Sequence, residues 1–158
     1  LPDPPGEVTL ASMTRACIFC AIAAGEAPAS FIHTDRTCMA FLTLRPTRPG
    51  EFTVVPRAHV DHFTDLDDAT AAHLMVTAQR LARAARVVLN PLRMGYVVHG
   101  FGVAHAHLNV VPQHAPTDIV SARHVDAPGG FRITQDLLPD PSRADLDAMA
   151  ARLRDALH

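Results

Sequence analysis

Ten residues constrain this chain more than any others: Val103-Ala104-His105-Ala106-His107-Leu108-Asn109-Val110-Val111-Pro112. Imidazole or amide alternates with small or aliphatic residues at the period of a β-strand. His105, His107 and Asn109 therefore point to one face, and Ala106, Leu108 and Val110 to the other. One reading is a half-buried strand whose wet side carries histidine. The other is a site where neighbouring imidazoles share metal binding and nucleophilic work, and the rest of the chain has to decide between them.

A chain of 158 residues, 48% hydrophobic and 19% charged, has the size and make-up of one soluble domain with one core. We expect a tail over 1–14, which opens Pro-Asp-Pro-Pro-Gly without apolar period, and a single domain over 15–158. A net charge of −2 and a pI near 6.6 give no electrostatic basis for nucleic-acid binding. No apolar run approaches the roughly 20 residues of a bilayer span, and no basic flank leads into an apolar secretion segment. The expectation is a cytoplasmic protein with neither a membrane nor a nucleic-acid partner. All 14 basic residues are arginine, which removes lysine Schiff-base chemistry and the lysine of a phosphate-binding P-loop.

The chain then divides into short elements. Residues 17–24 read as a helix stopped by Gly25, with Pro28 beyond it. Strands are expected over 31–34, 37–42 and 52–55, the first two joined at Asp35-Arg36, giving an antiparallel meander. Residues 67–89 form the longest helix, with a buried stripe of Leu74, Ala78, Leu81, Ala85 and Val88. Met75, Val76 and Ala82 lie on a second face suited to a two-fold partner. A fourth strand over 96–98 and a fifth starting at His105 follow. Residues 113–141 should be long and irregular, and a terminal helix begins at the box Ser142-Arg143-Ala144-Asp145 and buries Leu146, Met149, Ala150, Leu153 and Leu157.

There are three cysteines, an odd number that argues against a disulfide framework. Cys38, within an apolar run, reads as a buried and inert thiol. Cys17 and Cys20 form a Cys-x-x-Cys pair, which is either a redox dithiol or half of a zinc site. Tetrahedral zinc needs two further nitrogen or sulfur ligands. His59, after the third strand in Pro56-Arg57-Ala58-His59, and His105 are the candidates. Four protein ligands would close the site, making the metal structural and leaving chemistry to His107.

Cys17-Ile18-Phe19-Cys20, Pro56-x-x-His59 and Val103-x-His105-x-His107 together resemble the histidine-triad (HIT) superfamily, in its bacterial zinc-containing branch, over about Cys17 to Pro112. The resemblance implies an α+β fold, a five-stranded antiparallel sheet with one long and one short helix, to which the terminal helix is added here, paired as a homodimer. It implies structural zinc on Cys17, Cys20, His59 and His105. It also implies a nucleotide hydrolase or nucleotidyltransferase in which His107 attacks the α-phosphate of a phosphoramidate or phosphoanhydride. A neutral imidazole is a competent nucleophile near neutral pH, and a backbone carbonyl can fix its tautomer. The ligand pocket of relatives maps onto Ile18, Phe19, Ile22, Phe41 and Leu44, residue types equally at home in a core.

This sequence departs from the pattern at several positions. The third triad residue is Asn109, an amide donor without positive charge. Thr43 replaces a ribose-binding aspartate, and Glu51 stands where a histidine is common, its negative charge repelling a phosphate if it faces the pocket. Gly100-Phe101-Gly102-Val103 replaces Gly-Gln-x-Val, with His99 as a substitute donor and the Gly102 and Val103 amides as an anion cradle. The alternatives are a scaffold that binds a ligand without turnover, or an enzyme whose substrate is no longer a nucleotide.

Overall fold

The computed structural model describes residues 17–99, 102–115, 118, 125–126, 132–133 and 140–157. The expected tail over 1–14, Gly100, Phe101 and most of the irregular segment before Ser142 lie outside these residues.

Helix α1 spans Ile18–Ala24 and ends as expected, with Gly25 at φ 78° sending its amide back to Ala21 and Ile22. Strands β1 (Phe31–Thr34), β2 (Cys38–Leu42) and β3 (Phe52–Pro56) follow. After a 3₁₀ turn at Phe63–Asp65, helix α2 runs over Asp68–Leu89, capped by the Asp67 carboxylate on the Thr70 amide and closed by Asn90 in the left-handed region. Strands β4 (Arg93–Val97) and β5 (Leu108–Gln113) complete an antiparallel sheet of order β1-β2-β3-β5-β4. A second, two-stranded sheet joins β6 (Val125–Asp126) and β7 (Arg132–Ile133). The last helix, α3 (Arg143–Asp155), starts on a full capping box between Ser142 and Asp145. This is the five-stranded antiparallel α+β architecture expected, with one long, one short and one C-terminal helix.

Each sheet face has its own core. Ile32, Ala40, Leu42, Phe52, Val54, Leu108 and Val110 meet Leu74, Ala78, Leu81 and Ala85 of α2 and Leu146, Ala150 and Leu153 of α3. The opposite face carries a smaller cluster, Met39, Phe41 and Val55 with Ile22 of α1. Alternation thus aims the odd-numbered residues of β2, β3 and β5 at the side that, among the described residues, α1 partly covers.

Three expectations need correction. Strand β4 starts at Arg93, three residues earlier than read, because Arg93 pairs with Gln113 and extends the ladder to the end of β5. Strand β5 starts at Leu108 and not at His105. Before it the backbone bends: the His105 amide donates to Val103 O at 2.8 Å and the Ala106 amide to Val60 O at 2.7 Å, so neither is available to the β3 ladder. Ala82 belongs to the core beneath α2, because the helix turns it inward; Met75 and Val76 remain exposed.

Candidate functional site

The two thiols and two imidazoles singled out from spacing converge, although 88 residues separate the first from the last. Cys17 stands at the N-terminus of α1 and Cys20 one turn on, so helical geometry puts both sulfurs on one side. Cys17 Sγ lies 3.4 Å from His105 Nδ1, and Cys20 Sγ lies 3.7 Å from the same nitrogen and 3.3 Å from His59 Nδ1. All four donor atoms fall within 4.8 Å of one another. The sulfur–nitrogen edge of a tetrahedron with zinc bond lengths is about 3.6 Å, so the spacing fits such an ion.

The rings are turned for that purpose. His105 is fully buried, and its Nε2–H donates to Pro56 O at 2.9 Å, which leaves Nδ1 for the sulfurs. Burial holds His105 below its ordinary pKa, reinforced by His59 and His107, and so in the neutral form a metal requires. Burial and the adjoining Cys17 push the Cys20 thiol up to about 11 without an ion. His59 Nε2 is buried with no hydrogen-bond partner among the described residues, and the ring's Nδ1 faces Cys20.

Beside this cluster sits His107. Its Nδ1 lies 2.8 Å from the backbone oxygen of His105. A carbonyl can only accept, so Nδ1 carries the proton and the neutral ring keeps its lone pair on Nε2. Phe19 packs its ring edgewise on both histidines, centroids 5.6 Å from His105 and 5.7 Å from His107, and against Phe41 at 5.5 Å. Phe19 thereby joins the thiol–imidazole cluster to the face of the sheet that α1 partly covers. Asn109 lies on that face, in a row set by strand register: Phe41 opposite Thr53, Thr53 opposite Asn109, Asn109 opposite Val97.

The other sequence candidates are spread more widely. Ile22 is buried in the small core with Phe41, whereas Ile18 and Leu44 are exposed. Thr43 and Glu51 border a cavity of about 450 Å³ closed by Ser142, Leu146 and Met149 at the start of α3. Glu51 is buried and takes the Thr47 amide at 2.5 Å, so part of its charge is spent within its own loop. His99 and Gly102 are exposed, Gly102 at φ 110°, while Val103 is half-buried and its carbonyl receives the His105 amide. Phe101 lies outside the described residues. Thr53 escaped notice in the sequence: its Oγ1 is buried without a hydrogen-bond partner in the row of Asn109, as is that of Thr43. A threonine between Phe52 and Val54, on the alternate face of an apolar strand, was the available signal.

Comparison with known proteins agrees with this architecture. Over 105 residues the chain is 37% identical to an uncharacterised HIT-like protein of Mycobacterium tuberculosis, covering 61% of this chain and 70% of that one. It is 30% identical over 104 residues to the adenosine 5′-monophosphoramidase of Saccharomyces cerevisiae, covering 65% and 66%. The crystal structure of a zinc-bound histidine triad family protein from Mycobacterium smegmatis superposes with a TM-score of 0.69 at 31% identity, covering 91% of this chain and 94% of the other. The HIT domain family model matches residues 24–115, more than half the chain, and the chain belongs to the histidine-triad (HIT) family.

Proposed function

We propose that this protein cleaves a phosphoramidate or phosphoanhydride bond of a nucleotide-like substrate, with His107 as nucleophile and zinc held by Cys17, Cys20, His59 and His105. The observation that carries the reading is the bond from His107 Nδ1 to His105 O, which leaves a lone pair on Nε2 of an imidazole beside the metal cluster. The relationship to a yeast adenosine 5′-monophosphoramidase supports a nucleoside phosphoramidate as the first substrate to try.

His107 Nε2 forms a bond to the α-phosphorus as the bond to the leaving amine or phosphate breaks, and the leaving group takes up a proton. Water then attacks phosphorus and releases a proton to solvent, replacing the one the leaving group took up from it, while the bond from Nε2 to phosphorus breaks and its electron pair returns to Nε2. Another acceptor in place of water makes the reaction a transfer. Asn109 donates hydrogen bonds to the phosphoryl oxygens without contributing charge, and the Gly102 and Val103 amides add to them. Zinc, when bound, cross-links α1 to the segments carrying His59 and His105, and a four-ligand site leaves no position for substrate.

We further propose a homodimer working in the cytoplasm, where free thiols persist; Cys17, Cys20 and Cys38 are all unbridged. The dimer face would be the exposed Met75 and Val76 with the groove of about 470 Å³ lined by Arg83, Leu92, Met94 and Tyr96 along edge strand β4. Among the described residues no helix is long and apolar enough to cross a membrane.

Zinc-loaded protein incubated with nucleoside phosphoramidates, dinucleotides and sugar nucleotides tests the reading by intact mass. A nucleotidyl adduct lost in His107→Ala is the expected result. Absence of adduct and product across the panel would leave the ligand-binding alternative in its place.

A further inference from the structure

We infer that the protein carries a second site for a divalent transition metal, built from His33, Asp35 and Cys38 and completed by a shift of His73, on the opposite face of the sheet from His107. One donor atom each of His33, Asp35 and Cys38 lies within 4.8 Å of the others; His73 stands outside that group and joins it through Asp35. His73 Nε2 reaches Asp35 Oδ2 at 2.8 Å and His33 Nε2 reaches the same oxygen at 2.9 Å. Two imidazoles, a carboxylate and a thiol are the donor set of zinc and its neighbours, not of calcium or magnesium.

The backbone is arranged to assemble them. Regular alternation would turn His33 away from Ile32 and the α2 core, but the β1–β2 register slips between Phe31 and His33. After the slip His33 pairs with Ala40, on the face Ala40 shares with Cys38, against α2. Bulges serve to re-aim side chains in this way. Asp35 Oδ1 is pinned at 2.8 Å by the amides of both Thr37 and Cys38, which leaves Oδ2 to face the imidazoles. Helix α2 presents His73, Thr77 and Arg80 at intervals of four and three, one stripe over the site. The Cys38 Sγ to Asp35 Oδ2 distance, 3.6 Å, matches a sulfur–oxygen edge of a zinc tetrahedron. The imidazole–carboxylate distances would open by about 0.5 Å, a movement open to His33, Asp35 and His73, whose side chains are 17%, 30% and 41% exposed.

Arg80 opposes the ion. Its guanidinium lies 3.2 Å from His33 Nδ1 and 3.4 Å from Nε2, near-equal distances that place the cation over the ring face. A dication on His33 Nε2 would stand close to this guanidinium and be repelled by it, so binding favours the exposed arginine swinging away. The site is then held in reserve by its own cation, and Arg80→Gln should bind metal more tightly.

The test starts from protein whose Cys17/Cys20 site is already filled with zinc, which is spectroscopically silent, and adds cobalt(II) under equilibrium dialysis and visible absorption. One further saturable equivalent per chain is expected, with a thiolate charge-transfer band lost in Cys38→Ser. His73→Gln, on the helix surface and remote from the fold's core, should weaken this equivalent at least tenfold while keeping the first zinc; His59→Ala should do the reverse. Arg80→Gln should strengthen it. A stoichiometry that stops at one, or a second equivalent unchanged in both His73→Gln and His33→Gln, would overturn the site and leave the group as a hydrogen-bonded clasp. Loss of the first zinc alone bears on the other cluster and not on this one.

Discussion

The carbonyl of His105 accepts the Nδ1 proton of His107 at 2.8 Å, while the ring of the same His105 presents Nδ1 to Cys17 at 3.4 Å. One residue therefore holds both the proposed metal and the proposed nucleophile. The coupling runs through two atoms of a single side chain and its peptide, and it bears on what zinc loss does.

Removing the zinc proposed on Cys17, Cys20, His59 and His105 should cost both stability and turnover. At free zinc 1,000 times its dissociation constant the bound ion contributes about 4 kcal/mol. Cys20→Ala should lose that equivalent and the corresponding part of its thermal stability, measured by elemental analysis alongside calorimetry. A metal-free protein that melts at the same temperature and turns over unchanged would defeat the assignment.

His107→Ala should abolish turnover while keeping zinc and fold, because the four proposed ligands lie elsewhere. Asn109→Ala should slow turnover by about 10²-fold, the usual worth of one preorganised donor to a developing oxyanion. Asn109→His should accelerate hydrolysis of adenosine phosphoramidate by restoring a group able to carry charge beside the phosphate. If it only damages activity, Asn109 is a specificity feature for another substrate. Steady-state kinetics on the three variants separates these outcomes.

Thr53→Val replaces a buried, unpartnered hydroxyl with a methyl of the same shape. Without ligand the protein should gain about 1 kcal/mol, since an unmade hydrogen bond is removed. Substrate affinity should fall, with KM rising and kcat holding, if that hydroxyl meets the ligand in the row of Asn109. Thermal melts and kinetics on one preparation decide it; no stability gain would mean that the hydroxyl is satisfied in solution.

Asp118 ties the segment after β5 to the β2–β3 connection through Arg48 Nη2 at 2.8 Å and the amides of His114 and Ala115. Burial alone would raise its pKa, but Arg48 and the two amides outweigh burial and hold it below the ordinary 3.8. A carboxylate depressed in the folded state lends stability above its unfolded pKa, and the contribution is lost as pH falls below 3.8 through the folded value. Arg48→Ala should therefore move acid unfolding to higher pH and cost about 2 kcal/mol at neutrality. Acid titration followed by circular dichroism checks both.

Gly50 sits at φ 87°, and a Cβ there would run into Leu89 Cδ1 at the end of α2. Gly50→Ala should lower stability by about 1 to 2 kcal/mol, chiefly from left-handed strain, since the half-buried Leu89 side chain can turn aside, and a denaturant titration reads it directly.

Where local chemistry repeats or caps, the sequence was sufficient: Leu74, Ala78, Leu81 and Ala85 announced the buried face of α2, Gly25 its predecessor's end, and Ser142 with Asp145 the start of α3. The convergence of Cys17, Cys20, His59 and His105 was legible because their residue types and spacing match what a metal site would demand. The start of β5 was not. Alternation continues back to His105, but Val60 and Val103 claim the amides that a ladder would need, and such competition is tertiary. The bulge at His33 was hidden for the same reason, since register depends on the partner strand. Thr53 was missed because an unpaired hydroxyl is defined by its neighbours and not by its own type.

Helix α1 has 7 residues and an N-cap, Cys17, whose side chain makes no capping bond. An isolated helix of that length has no stability of its own. Its order is borrowed, on one side from Met39, Phe41 and Val55 and on the other from whatever binds the two sulfurs. With an ion on those sulfurs, opening of α1 would carry the same metal dependence as global unfolding, but as a far larger share of its smaller free energy. In hydrogen-exchange experiments the amides of α1 should form their own cooperative unit, the first to lose protection under chelation, carrying Phe19 away from both histidines while the sheet stays closed.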